Sequence, residues 1–201
     1  VIGIIDYGAG NLLSVRRAFE YIGAPARIAS VVDELDGVDR IVLPGVGAFG
    51  TAAARLGERG FLAFLRDWIR ADRPFLGICL GLQLLFEGST ESEGVAGLGL
   101  FKGTCLRFRE GKVPQIGWNQ VEPAAGSRLF EGIAAGTFFY FLHGYYAAPD
   151  DDTRVAARTT YGVTYASAVQ RGRIWAVQFH PEKSGDMGLR LLRNWEARCL
   201  P

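Results

Sequence analysis

Cysteine and histidine are scarce in this chain, with three of the first and two of the second in 201 positions. The cysteines, at 79, 105 and 199, are odd in number and show no C-x-x-C spacing. That pattern excludes a disulfide framework and a zinc site, and it fits a reducing, cytoplasmic setting without metal or cofactor. An excess of one charge is also missing: 22 basic residues face 21 acidic ones. A footprint for nucleic acid or an anionic membrane is thereby excluded. No apolar run reaches the length of a membrane-crossing helix, and the first residues carry no signal-peptide pattern. Internal repeats and low-complexity tracts are absent as well, so residues 1–201 are expected to form a single domain.

What is present is organised around Pro74–Phe86. Phe75 to Leu80 is a short apolar run that reads as a buried strand. It continues without a break into Leu82, Leu84, Leu85 and Phe86, read as the first turns of a buried helix. Between them lies Gly77-Ile-Cys79-Leu-Gly81, a cysteine analogue of the G-x-S-x-G nucleophile elbow. A strand that turns directly into a helix crowds its own backbone, and glycines two residues to either side relieve the crowding. The apical thiol then faces free N–H groups at a helix start, a position that lowers a thiol's pKa. By itself the window also admits a plain core cysteine.

Upstream of the elbow, strands and helices alternate. Strands are expected at Val1–Asp6, Ala26–Ser30 and Arg40–Leu43. Helices are expected at Leu12–Ile22, with Asn11 as cap, and then at Gly50–Arg59 and Phe61–Ala71. Alternation of this kind argues for an α/β fold, an open and mostly parallel sheet with helices on both faces. Glu87–Gly99 reads as a loop. From Gly103 the texture becomes β, with strands expected near Thr104–Arg109, Gly117–Val121, Phe138–Tyr145, Arg154–Thr160, Tyr165–Gln170 and Ile174–Phe179. An antiparallel portion therefore belongs to the second half, and a last helix, Gly185–Cys199, follows it.

A cysteine nucleophile needs a base, and only His143 and His180 are available. His180 stands where an apolar strand ends at Pro181, the sheet edge at which open α/β folds place their sites. Glu182, two residues on, offers a carboxylate to orient the imidazole. His143 lies among aromatics with no orienting carboxylate beside it and reads as packed or pocket-lining. Pro44-Gly-Val-Gly47 supplies a flexible turn whose N–H groups, with that of Leu80, can meet a developing oxyanion. The glycines Gly8 and Gly10 read as a turn rather than a phosphate cradle, since the third glycine of a nucleotide fingerprint is missing.

P-G-V-G, G-I-C-L-G-x-Q and H-P-E, in this order, resemble the class I (triad) glutamine amidotransferases. Asp6-Tyr-Gly-x-Gly-Asn-Leu12, Pro114-Gln-Ile-Gly-Trp-Asn119, Phe141-Leu-His-Gly-Tyr-Tyr146 and His180-Pro-Glu-Lys-Ser184 are similar to the branch that serves as glutaminase subunit of imidazole glycerol phosphate synthases, in histidine biosynthesis. The resemblance implies a flavodoxin-like amidotransferase fold and hydrolysis of L-glutamine through a thioester on Cys79. In that scheme His180 is the base, Glu182 its orienting partner, and the backbone at Gly45, Val46 and Leu80 the oxyanion hole. It further implies glutamine contacts from Gly47, Gln83 and Glu91, the last toward the α-amino group, and from the backbone of His143, Gly144 and Tyr145. The expected partner is a (β/α)₈-barrel cyclase subunit that receives the ammonia, in a heterodimer, with Tyr7, Asn11, Trp118 and Lys183 at the interface. Another triad amidotransferase, a free-standing γ-glutamyl hydrolase and a non-catalytic flavodoxin-like module are the competing readings.

Overall fold

In the computed structural model, which describes residues 1–198, the chain builds one twelve-stranded mixed sheet. Its first half alternates as the apolar periodicity predicts: β1 (Ile2–Ile5), α1 (Leu12–Tyr21), β2 (Ala26–Ala29), β3 (Arg40–Gly45), α2 (Phe49–Glu58), α3 (Phe61–Arg70) and β4 (Phe75–Cys79). A single helical turn, α4 (Leu80–Gln83), leads to β5 (Phe86–Ser89). The second half is β6 (Phe101–Arg107), β7 (Gln115–Pro123), β8 (Thr137–His143), β9 (Tyr145–Pro149), β10 (Val155–Tyr161), β11 (Val163–Arg171) and β12 (Ile174–Val177), followed by α5 (Gly185–Arg198).

The strands run in the order β2-β1-β3-β4-β12-β11-β10-β7-β8, with β9, β6 and β5 branching from β11. From β2 to β12 every pairing is parallel; from β12 to β8 every pairing is antiparallel. Strands β1, β3, β4 and β12 are buried on both sides, as their apolar runs require, while β2 at the sheet edge is partly exposed. Helices α1 and α5 cover one face, where Phe19 meets Trp195 edge-on at 5.5 Å. The other face packs under α2 and α3 through Phe49, Leu56, Phe61 and Leu65. The Asn11 carboxamide caps α1 by accepting from the Ser14 N–H at 3.3 Å.

Three sequence expectations are corrected. The apolar run after Cys79 is helical for one turn only: Phe86 leaves the helix to pair with Phe101, their rings 5.5 Å apart. An all-buried run carries no polar face, so its period could not show where helix gives way to strand. For the same reason β5 takes up the start of the segment read as the Glu87–Gly99 loop. Phe138–Tyr145 is two strands, because Gly144 breaks the run between β8, paired with β7, and β9, paired with β6 and β11. Cys199, expected at the end of the last helix, lies outside the described residues.

Candidate active site

The site forms at the C-terminal edge of the parallel strands. Cys79 ends β4 and caps α4 with φ 57° and ψ −107°, one of two described non-glycine residues at positive φ. Such a backbone costs of order 1–3 kcal/mol and is held only where its surroundings force it. Here they do: a methyl group on Gly77 would lie 2.7 Å from the Gly81 carbonyl oxygen, and one on Gly81 would overlap the Leu43 carbonyl of β3. The two elbow glycines let helix and strand meet at a distance no side chain permits.

Register then delivers the second half of the site. Strand β12 lies parallel to β4 with Val177 opposite Ile78, so Gln178 comes abreast of Cys79 and His180 follows two residues beyond. Pro181 opens a short 3-10 turn, Pro181–Lys183, which folds Glu182 back under the imidazole. The His180 Nδ1–H donates to Glu182 Oε1 at 2.8 Å, and both side chains are nearly sealed from solvent. The His180 backbone is clamped to β8: its N–H donates to the Tyr140 carbonyl at 2.8 Å, and its carbonyl accepts from Ser184 Oγ at 2.6 Å. Ser184 in turn accepts from the Tyr140 N–H at 3.0 Å. His180 Nε2 is buried and makes no hydrogen bond among the described residues. Burial works against a charged His180, but the negative charge of a Cys79 thiolate and that of Glu182 outweigh it and hold the imidazolium well above the ordinary histidine range.

Cys79 is 4% exposed, yet it lines a cleft of about 350 Å³. Val46, Gly47, Leu80, Gln83, Glu91, His143, Gly144 and Tyr145 line the same cleft, so the structure brings the expected glutamine-site residues together. Gly45 is the register mate of Cys79 across β3 and β4, and Gly47 turns the chain at φ 96°. Gln83 spends its amide N–H groups inside the protein, on Tyr145 O at 2.9 Å and Gln178 Oε1 at 3.1 Å. Glu91 reaches across to α2, whose first N–H donates to its Oε2 at 2.7 Å. His143 is buried; its Nδ1–H donates to Tyr145 O at 2.7 Å, and its Nε2 lies 3.2 Å from the Tyr165 hydroxyl. Burial pushes its pKa down to about 4, the Tyr145 contact opposing and the His180 charge adding, so it stays neutral and shapes the wall. Cys105 is fully buried; burial, helped by the Glu91 charge, pushes its thiol up and leaves it inert.

One interface expectation is overturned. Tyr7 is fully buried beneath the turn after β3, its hydroxyl so near Gly45 that a methyl group there would overlap it. It offers no surface to a partner; it takes the space that the glycine leaves. Asn11, Trp118 and Lys183 are exposed. Trp118, at 55%, shares the outer face of the β7–β8 ribbon with Ile116 at 59% and Phe138 at 53%, and Lys183 Nζ stands 5.7 Å over the Tyr140 ring. Three residues of the site were missed from sequence: Gln178, whose Nε2 lies 3.6 Å from the Cys79 sulfur; Ser184; and Arg107, a cation on the cleft wall. A polar residue inside the apolar end Val177-Gln-Phe179 was the only signal for the first.

No group of histidine, cysteine, aspartate or glutamate among the described residues is arranged to hold a metal ion. Nor is any described helix long and apolar enough to cross a membrane. The geometry offers a thiol on a strained turn, an imidazole oriented by a carboxylate, and a cleft shared by the thiol with Val46, Gly47 and Leu80. That set suits acyl transfer through a thioester.

Comparison with known proteins agrees. The model of the family "Glutamine amidotransferase class-I" matches residues 3–197. The "Imidazole glycerol phosphate synthase subunit HisH" of Methanothermobacter thermautotrophicus is 51% identical, covering 97% of both chains. That of Moorella thermoacetica is 47% identical, covering 96% of this chain and 93% of its own. Among solved structures, one described as a glutamine amidotransferase superposes with a TM-score of 0.79 at 20% identity, covering 99% of this chain and 98% of that one. PurLQS from Thermotoga maritima superposes at 0.75 and 19% identity, over 98% and 97%. At such identities these two speak for the fold alone.

Proposed function

Since the chain belongs to the class-I glutamine amidotransferases, and is the glutaminase subunit of an imidazole glycerol phosphate synthase in histidine biosynthesis, we propose that Cys79, His180 and Glu182 are its catalytic triad. The thiolate of Cys79 attacks the side-chain carbonyl carbon of L-glutamine. Negative charge moves to the carbonyl oxygen, which meets the backbone N–H groups at Gly45–Val46 and at Leu80. His180 gives its Nε2 proton to the departing nitrogen, and ammonia leaves. Water then attacks the thioester carbon, His180 takes the water's proton, the C–S bond breaks, and glutamate is released. Glu182 transfers no proton; it fixes the imidazole with Nε2 toward the sulfur. The observation that carries this reading is the 2.8 Å His180–Glu182 contact just beyond β12, the strand whose register pairs its last residue, Val177, with Ile78 next to Cys79.

Within the cleft, Gln83 and Glu91 supply acceptors for the α-amino group of glutamine, while Gly47 and the backbone of His143, Gly144 and Tyr145 hold the rest of it. The subunit works with a partner, and a (β/α)₈-barrel cyclase is the partner proposed. The exposed apolar face of β7–β8, with Lys183 beside it, supports a docking role. The test uses the complex of both subunits. Cys79→Ala is expected to abolish glutamine-dependent synthesis while free ammonium still drives the cyclase. Failure with ammonium in a correctly assembled complex would reject the division of labour, and persistence of glutaminase in Cys79→Ala would reject the nucleophile.

A further inference from the structure

A buried chain of hydrogen bonds ends on the nucleophile, and its direction can be worked out from one atom. The Tyr145 carbonyl oxygen can only accept, so the Gln83 atom 2.9 Å away must be its amide nitrogen. That same nitrogen lies 3.1 Å from Gln178, which must therefore turn its oxygen toward Gln83. Flipping the Gln178 amide would set N–H against N–H. Its own nitrogen is left facing the Cys79 sulfur at 3.6 Å. Gln178 is wholly buried and Gln83 is 4% exposed, so water does not compete for these groups. A buried amide costs free energy unless its polar atoms are used, and at this strand end an apolar residue would have packed as well.

The sulfur has two partners of opposite character. Leu142 O, 3.7 Å away, can accept only from a protonated thiol; the Gln178 N–H can only donate, and a thiolate accepts far better than a thiol. We propose that Gln178 is a further catalytic residue, whose amide N–H, aimed by Gln83 and Tyr145, holds Cys79 as the thiolate. The inference rests on Cys79 being the nucleophile. The other titratable groups around the sulfur are His180 with Glu182 behind it, after β12, Tyr7 at the end of β1, and Tyr165 on β11. Of these, the two tyrosines are held neutral by burial, with the charge on Cys79 raising both further. Glu91 and Arg107 line the same cleft, and His143 is kept neutral by burial, so His180 is the buried cation and Gln178 the neutral donor.

The experiment measures the rate of Cys79 alkylation by iodoacetamide against pH in the full chain, and glutaminase kinetics in the complex. Gln178→Met keeps the volume and removes the amide. It is expected to move the half-maximal alkylation pH up by about one unit and to lower kcat about 10-fold, with KM for glutamine within about 3-fold, the scale of one lost hydrogen bond to a charged group. Gln178→Glu keeps an acceptor for Gln83 but sets a like charge against the sulfur, and should move the midpoint further the same way. Should Gln178→Met fail to fold, Gln178→Glu carries the measurement. A folded variant with the wild-type alkylation profile and kcat overturns the inference. Absence of alkylation at Cys79 in the wild type would instead strike the nucleophile assignment.

Discussion

Gly81 on α4 lies directly against Leu43 of β3, so that any side chain at 81 would occupy the space of the Leu43 carbonyl oxygen. The neighbour is backbone in the middle of the parallel sheet and cannot swing aside. Gly81→Ala must therefore displace α4, the segment that carries the Leu80 N–H. Overpacking against fixed backbone costs about 1–3 kcal/mol or more, which for a chain of this size lowers the melting temperature by about 5–10 °C. Glutaminase should fall with it. A Gly81→Ala protein with unchanged melting temperature and turnover would show that the elbow has slack the structure does not display.

The roles of His180 and Glu182 separate kinetically. His180→Ala removes the group proposed to move protons and should lower kcat by about 10³-fold or more. Glu182→Gln keeps an oxygen for the Nδ1–H at 2.8 Å and loses only the charge. Its expected loss is smaller, about 10- to 100-fold, measured as partner-stimulated glutamine turnover. An equal loss in both variants would assign Glu182 a part in the proton transfer itself.

His143 gives the fold an acid limb. Its pKa, pushed down to about 4 by burial, lies below the unfolded value of about 6.5. Between those values the unfolded chain binds the extra proton and the folded chain does not. The His143 contribution to stability is thus complete above pH 6.5 and is lost as pH falls toward 4, by on the order of 3 kcal/mol. Urea unfolding at pH 7 and pH 4.5 should show this loss in the wild type and a visibly smaller one in His143→Gln. Identical pH dependence in the two would place the acid sensitivity in other groups.

Trp118 is half exposed beside Ile116 and Phe138, so its removal should leave the isolated subunit unharmed. Trp118→Ala is expected to keep the melting temperature within about 1 °C while weakening binding of the proposed cyclase partner about 10- to 100-fold, the loss usual for a central aromatic anchor. Titration calorimetry with the purified partner decides it. Unchanged affinity would move the interface to another face.

Much of this architecture was legible because the sequence writes local constraints plainly. The glycines at 77 and 81 announce the kink, the apolar strands announce the parallel sheet, and the strand ending at Pro181 announces where His180 stands. What stayed hidden depends on register. Nothing near Val177 says that it lies opposite Ile78, and so nothing revealed Gln178 as a neighbour of the sulfur. Tyr7 was misread for a related reason: an aromatic after a strand looks like surface until the gap beneath Gly45 is seen to need filling. The Phe138–Tyr145 run concealed its break at Gly144, since both strands alternate in the same way.

Strand β12 enters the sheet between β4 and β11, although it is the last strand to leave the ribosome. In chain order it separates Cys79 from His180 and Glu182, so the proposed nucleophile and its proposed base share one sheet edge only through the seating of Ile174–Val177.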